Sequence, residues 1–393
     1  MTILQHRLAM VGLALGNTAI GTLAFVVIGI LPAIAQDYRI SEASAGMVFS
    51  IYAGVYAISS PILIGATGRV PRKVMLCLSL ALAGVATLGS AFAPTPGLLL
   101  LSRSVAALGG GIYTPVAAAV AYALSAPERR GRSLATVFFG LQISQAVGVP
   151  LGAVMSDQFG WPAAFLLACG IGGVALAILI AALPRKIITP VPSLAKFAQA
   201  LRNPTGLMAV SVMGLHSMAM MVPLSFIAAL ALVRGDAPGP VLACFGFGGL
   251  TGGLIMGRIT QAIGPVRARR RAILAQVVIL PLFSLPLIGL TAGTALFLTA
   301  VFLWAVLATP LMIPQQMLLL ERDRERGELM LGLNGTANYL GVATGAAIGG
   351  AIMTLAGPFA LGLAGAGLAL VALGAAAASE RIYRSADRRK GGG

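Results

Sequence analysis

The chain has 393 residues, of which 58% are hydrophobic and only 10% are charged, and its formal net charge is +16. Apolar runs long enough to cross a bilayer core of roughly 30 Å recur from end to end, which excludes a water-soluble domain. The positive charge does not indicate nucleic-acid binding, because nearly all Lys and Arg residues lie in short segments between the apolar runs.

Turn-forming and charged clusters divide the chain into twelve predicted transmembrane helices, so the predicted fold class is an all-α membrane protein. The first span is predicted to be an uncleaved helix, because its apolar stretch is too long for a signal peptide. The first six spans are 8–34, 43–66, 73–93, 96–124, 132–157 and 161–183. The second six are 206–233, 239–263, 272–291, 294–320, 329–355 and 357–378.

The basic residues alternate between the two ends of these spans. The basic segments are Arg7, 69–73, 129–132, 185–202, 258–271, 322–326 and the tail after Glu380. The loops on the other side hold only Arg39 and Arg234. Because excess Lys and Arg marks cytoplasmic loops, both termini are predicted to be cytoplasmic, in a bacterial-type inner membrane.

The two sets of six spans show an internal repeat. The segment "PERRGRS" (127–133) after the fourth span matches "DRERGEL" (323–329) after the tenth. In secondary transporters with such repeats, substrate sites lie near the midplane at the repeat interface. The predicted organisation is an N-terminal six-helix half (1–184), a cytoplasmic linker (185–205), a C-terminal six-helix half (206–380) and a basic cytoplasmic tail (381–393).

Four segments resemble the drug and sugar efflux branch of the major facilitator superfamily, the arabinose-efflux-permease-like proton antiporters. These are "GTLAFVVIGILPAIA" (21–35), "GRVPRKVML" (68–76), "RSVAALGGG" (103–111) and "GVPLGAVMSDQFGW" (148–161). The resemblance covers essentially the whole chain. It implies the major facilitator fold and secondary active export of a small organic molecule by alternating access, with the proton as coupling ion and no cofactor.

An uncoupled uniporter or an importer on the same scaffold is the alternative. A non-transporting sensor would need a soluble output domain, and no segment is long enough for one. An enzyme would need a convergent set of acid, nucleophile or metal ligands, so no catalytic residue and no metal are predicted. The expected partners are a small-molecule substrate and the lipid bilayer, with no nucleic acid and the chain as a monomer.

Arg103 is the only Lys or Arg predicted to lie well inside a span. An arginine at the centre of a membrane helix costs on the order of 3 kcal/mol, so it either extends to the membrane surface or faces a central cavity. Gly110 and Tyr113 follow on the same helix face. The resemblance implies that Arg103 takes part in coupling substrate movement to proton movement.

Carboxylates are missing from the centres of the predicted spans. Members of the resembled branch often have a glutamate just before the phenylalanine of the first helix, where this chain has Ala24. Asp157 lies near the end of the fifth span, where a capping or pairing role is expected. His216 lies in the middle of the seventh span and is either the proton carrier or a hydrogen-bonded partner between helices.

Polar and aromatic side chains recur at helical spacing within several spans. As a set they predict a cavity that hydrogen-bonds a neutral or amphipathic substrate, and for each one packing between helices is the alternative. They are Asn17, Tyr52, Tyr56, Gln142, Gln145, Trp304, Asn334 and Asn338.

The resemblance also implies a conformational role for two motifs. They comprise Arg69, Arg72 and Lys73 after the second helix, and Gly148, Pro150, Gly152 and Asp157 in the fifth. Pro150 and Gly148 are expected to bend the fifth helix, because proline removes a backbone hydrogen bond. The first motif usually has an aspartate where this chain has Gly68, which weakens the expected charge latch.

Overall fold

The computed structural model describes residues 3–67, 70–126, 130–184, 187, 204–288, 293–322 and 327–391. Every regular element in these ranges is a helix, which confirms the predicted all-α class. The first six helices are α1 (Ile3–Tyr38), α2 (Glu42–Ala66), α3 (Arg72–Ala91), α4 (Pro96–Ala123), α5 (Arg130–Ile143, Ser144–Gly148 and Val149–Phe159) and α6 (Pro162–Ala182). The next six are α7 (Pro204–Leu224 and Ile227–Val233), α8 (Pro238–Ile263), α9 (Pro265–Ile279 and Leu280–Ile288), α10 (Thr294–Ala308, Thr309–Leu311 and Met312–Arg322), α11 (Gly327–Ala356) and α12 (Ala360–Gly391).

Each predicted span corresponds to one of these helices. Within the described ranges, eleven of them are long and apolar enough to cross a membrane. The exception is α9, which changes to 3₁₀ geometry at Leu280. Pro281 and Pro286 lack a backbone N–H, so the α-helical ladder cannot continue through this segment.

The middle of α5 is a π-helical turn, Ser144–Gly148. The backbone N–H of Val149 donates to the carbonyl of Ser144, five residues earlier. Pro150 follows directly and has no N–H to donate, so the wider turn lies beside a missing ladder bond. The change in helix geometry therefore occurs where Gly148 and Pro150 are predicted to bend α5.

The chain forms two compact units. Unit 1 comprises Met1–Pro192 and Phe226–Phe247, and unit 2 comprises Ser193–Ser225 and Gly248–Gly393. In unit 1, helix α1 packs against α4, α5 and α6. In unit 2, helix α7 packs against α11 and α12. The predicted repeat of two six-helix halves stays a prediction, and the predicted linker lies almost wholly outside the described residues.

Glycines permit close helix approach in both units. A Cβ at Gly140 of α5 would overlap the carbonyl oxygen of Ala14 in α1. In unit 2, a Cβ at Gly341 of α11 would overlap the carbonyl oxygen of Gly214 in α7. Membrane helices associate largely through van der Waals packing, so these glycines hold the backbones near enough for that packing.

Candidate functional site

Arg103 of α4 is fully buried inside unit 1. Its guanidinium carbon lies 4.5 Å from the ring centroid of Tyr52 in α2 and 5.3 Å from that of Phe165 in α6. Its Nη2 lies 3.4 Å from the carbonyl oxygen of Ala24, which is close to the middle of α1. The side chain therefore points into the helix bundle and does not extend to a surface.

The hydrogen-bonding capacity of this arginine is mostly unused. Among the described residues, Arg103 Nε and Nη1 have no hydrogen-bond partner, and neither does the buried hydroxyl of Tyr52. No carboxylate in the described ranges forms an ion pair with Arg103. The two aromatic rings provide cation–π contacts, but those contacts do not satisfy the N–H groups.

Asn17 and Tyr113 join α1 to its neighbours in unit 1. Asn17 Nδ2 donates to the carbonyl of Val137 in α5 at 2.9 Å, and its Oδ1 accepts from Thr114 Oγ1 in α4 at 2.8 Å. Tyr113 Oη donates to the carbonyl of Leu13 at 3.3 Å. Both side chains are fully buried, so their contacts favour the packing alternative for these two residues.

Gln142 and Gln145 of α5 differ from this buried pair. Both are half-buried, and their amides have no hydrogen-bond partner among the described residues. Gln145 lies in the π-helical turn, a local geometry that frequently occurs at functional sites. Tyr56, on α2, is buried with its ring centroid 6.4 Å from that of Tyr52.

Arg103 and the π-helical turn lie at the same level along α1. Gly21 of α1 contacts the side chain of Ser144 at the start of the π turn, and Ala24 contacts Arg103. These two α1 residues are three positions apart, which is roughly 5 Å along a helix. Unit 1 therefore has a buried cation and the π-helical turn at similar depth along α1.

His216 of α7 is buried in unit 2 with both ring nitrogens near polar groups. Its Nε2 lies 3.0 Å from the carbonyl oxygen of Ala308 in α10, and its Nδ1 lies 3.3 Å from Gln276 Nε2 in α9. A neutral ring protonated at Nε2 donates to Ala308 and accepts from Gln276. Gln276 Oε1 is buried without a partner among the described residues.

A polar network that the sequence analysis missed lies in unit 2, at the beginning of α9. Arg269 Nη2 donates to Glu380 Oε1 of α12 at 2.7 Å, and its Nη1 donates to Gln315 Oε1 of α10 at 3.0 Å. Arg322 Nη2 contacts the other carboxylate oxygen of Glu380 at 2.5 Å. Gln315 Nε2 donates to Asn334 Oδ1 at 3.2 Å, so the predicted substrate-contact residue Asn334 belongs to this network.

The two remaining predicted residues of unit 2 have different surroundings. Asn338 is half-buried, and its Oδ1 accepts from Ser217 Oγ at 2.7 Å. Trp304 is fully buried, with its ring edge-to-face against Phe283 at 5.6 Å between centroids. Asn338 is thus the more accessible of the two.

The conformational motifs make contacts within unit 1. Lys73 Nζ donates to the carbonyls of Ile180 and Leu183 at 2.5 and 2.8 Å, where a cation is favourable because α6 ends there. Arg72 is buried, whereas Asp157 is exposed. Gly152 packs against Val26 of α1. Arg69 and Gly68 lie outside the described residues, so the expected latch stays a prediction.

Comparison with known proteins identifies the family. The family model of the Major Facilitator Superfamily matches residues 13–330. The chain belongs to the Major Facilitator Superfamily. A chloramphenicol efflux pump of Mycobacterium tuberculosis (strain ATCC 25618 / H37Rv) is 30% identical over 379 residues, covering 93% of this chain and 90% of that protein. A probable sugar efflux transporter of Mannheimia succiniciproducens is 24% identical over 356 residues, covering 90% of this chain and 88% of that protein.

A solved structure confirms the major facilitator fold. It is a bacterial homolog of the human lysosomal transporter Spinster, in an inward-facing and unoccupied conformation. It matches with a TM-score of 0.68 over 99% of this chain and 98% of that chain, at 16% identity. The protein is therefore a multi-pass membrane transporter for small molecules and not an enzyme.

Proposed function

We propose that this Major Facilitator Superfamily member exports small organic molecules by alternating access, in exchange for protons. The proposal of export is supported by the similarity, over about nine tenths of the chain, to proteins described as chloramphenicol and sugar efflux transporters. Their shared property is a small polar or amphipathic substrate, which fits a chain whose half-buried amides have unused hydrogen-bonding capacity.

Gln142 and Gln145 of unit 1 are the proposed substrate contacts. Both side chains are half-buried, whereas Asn17 in the same unit is fully buried and hydrogen-bonded. A ligand can compete for an amide with open hydrogen-bonding capacity without first breaking an internal contact.

The pair His216 and Gln276 is the proposed proton acceptor. In the neutral state, Gln276 Nε2 donates to His216 Nδ1. A proton arriving at Nδ1 converts that nitrogen to a donor, and a half-turn of the Gln276 amide brings Oε1 into the accepting position. Because Oε1 has no other partner among the described residues, both protonation states are hydrogen-bonded.

The proposed orientation places both termini in the cytoplasm of a bacterial-type inner membrane, with the protein as a monomer. The alternation of basic segments supports this orientation. Cysteines introduced at the exposed positions Arg39 and Arg270 test it in a background without the native cysteines. An impermeant thiol reagent outside intact cells should label only position 39, and labelling at position 270 would reverse the orientation.

Proteoliposomes test export and coupling together. Vesicles with an acidic interior should accumulate an antiported substrate faster than vesicles without a pH gradient, because outward proton flow drives substrate entry. Chloramphenicol and a panel of sugars are the first compounds to measure. Transport that is unchanged by the gradient would replace antiport with the uniporter alternative, and no transport of any of the panel would contradict the proposed substrate range.

Replacing the half-buried glutamines should weaken substrate binding. We expect Gln142→Ala and Gln145→Ala each to raise KM roughly 3–10-fold, since a lost hydrogen bond is worth about 0.5–1.5 kcal/mol. The measurement is initial transport rate against substrate concentration. Gln36→Ala, on the exposed end of α1, is the matched control and should leave KM unchanged. Equal KM values for all three variants would remove α5 from the binding site.

A further inference from the structure

Arg103 is a buried cation that the proposed proton acceptor does not use. Its two faces lie near the rings of Tyr52 and Phe165, and its only hydrogen bond in the described ranges is a long one to the carbonyl of Ala24. A charged side chain taken out of water is stable only when it is paired and hydrogen-bonded. This site therefore has positive charge and donors in excess over acceptors.

The unused donors belong to two side chains that are in contact. Arg103 offers Nε and Nη1, and the hydroxyl of Tyr52 is equally buried and unpartnered among the described residues. The Tyr52 hydroxyl lies close to where a Cβ at Gly110 would be, and Gly110 is two helical turns beyond Arg103 on the same face of α4. The missing side chain at Gly110 thus leaves room for this hydroxyl.

We propose that Arg103 and Tyr52 form a binding site for a carboxylate carried by the transported molecule. A planar guanidinium fork matches two carboxylate oxygens, and a phenolic hydroxyl adds a further donor to the same group. The inference deepens the proposed function, on which it rests, by naming an acidic substrate class. Arg103 is enclosed in this conformation, so ligand binding requires this site to open during the alternating-access cycle.

Position 24 allows the pairing to be tested inside the protein. The carbonyl of Ala24 is already 3.4 Å from Arg103 Nη2, so a side chain at this position starts beside the guanidinium. In Ala24→Glu, an internal carboxylate should neutralise Arg103 and occupy the place of the substrate carboxylate. This variant should therefore lose anion binding while the arginine is still present.

The experiment measures thermal unfolding of the purified full chain in detergent, with matched probes at equal ionic strength. Sodium benzoate should raise the unfolding midpoint of the wild type by about 2 °C or more when present well above its Kd, and benzamide should not. The benzoate shift should disappear in Arg103→Gln and Ala24→Glu and shrink in Tyr52→Phe. Arg39→Gln, which removes an exposed arginine, should retain the full shift.

Each other result overturns the inference. Equal shifts from benzoate and benzamide would show that the ring and not the charge is recognised. A chloride shift as large as that of benzoate, and lost in Arg103→Gln, would assign the site to a free halide. A benzoate shift that persists in Arg103→Gln would show that the anion binds elsewhere. If Arg103→Gln fails to fold, a full benzoate shift in both Tyr52→Phe and Ala24→Glu would show the same. Proton-driven transport of neutral chloramphenicol without any benzoate shift would leave the proposed function intact and remove this site.

Discussion

Glu380→Gln is expected to lower the free energy of unfolding by about 3–5 kcal/mol, as happens when one partner of a buried ion pair is removed. Glu380 is the carboxylate between Arg269 and Arg322, with contacts of 2.7 and 2.5 Å. The amide keeps the size of the side chain but removes its charge. Two guanidinium groups would then face a neutral side chain in a largely buried setting.

The contacts of the two arginines indicate which substitutions in this network lower the free energy of unfolding most. Arg269 is almost fully buried and also donates to Gln315, so it cannot turn outward to find water. Arg322 is slightly more exposed and lies 4.1 Å from the ring of Tyr383, so it keeps a cation–π contact when Glu380 loses its charge. We therefore expect Arg322→Gln to destabilise the protein less than Glu380→Gln.

Thermal unfolding in detergent measures this effect, with Glu321→Gln as the matched control. Glu321 is exposed and lies next to Arg322 on α10, so its substitution changes the net charge equally without touching the network. The double variant Glu380→Gln/Arg322→Gln should recover part of the loss, because one unpaired cation is removed with the carboxylate. Midpoints of Glu380→Gln and Glu321→Gln that agree within about 1 °C would contradict a stabilising role for the network.

The network of Arg269, Glu380 and Arg322 also shows why the sequence alone could not predict all the polar contacts of unit 2. Positive-inside patterning places residues 258–271 in a basic loop, yet α9 begins at Pro265, directly after Gly264 with a φ of 82°. Arg269 therefore lies within the first turns of α9, where its side chain is buried against neighbouring helices. The seven-residue spacing of Arg269 and Gln276 puts both on one face of α9 and was a usable signal. Their partners on α10 and α12 depend on tertiary packing.

Arg103 could be singled out from sequence because a charge within an apolar run is itself a strong signal. Tyr52 could also be singled out, by its helical spacing from Tyr56, but its contact with Arg103 could not, since the two residues lie on different helices. The burial of the amide side chains could not be predicted from sequence either. Membrane helices are apolar both toward lipid and toward each other, so the periodicity of apolar residues does not show which face of a helix is buried. It therefore does not distinguish the fully buried Asn17 from the half-buried Gln145.

Transport by the wild type is expected to depend on pH between about 5 and 7.5, because histidine is the side chain whose charge changes in this range. In the described ranges, the hydrogen-bond partners of the His216 and Gln276 pair are uncharged. Arg269 lies seven residues before Gln276, roughly 10 Å along α9, and is paired with Glu380. The α10 group that contacts His216 is the uncharged carbonyl of Ala308, and the charged Arg322 of α10 is paired with Glu380.

His216→Gln should flatten the pH profile, since glutamine can still donate to the carbonyl of Ala308 but cannot take up a proton. Gln276→Leu should flatten it as well, because it removes both the donor to neutral His216 and the acceptor for the protonated ring. Agreement between the two variants would assign the pH dependence to the pair and not to the ring alone.

Initial rates measured against pH for the wild type, His216→Gln and Gln276→Leu check this expectation. Proton release when substrate is added to the detergent-solubilised protein provides a second readout, and it should be present only in the wild type. Asp157→Asn is the control, because Asp157 is an exposed carboxylate in the motif of α5. If only Asp157→Asn flattens the profile, the proton carrier is at the end of α5. If the wild type releases no protons and its rate does not vary with pH, the transporter is an uncoupled uniporter.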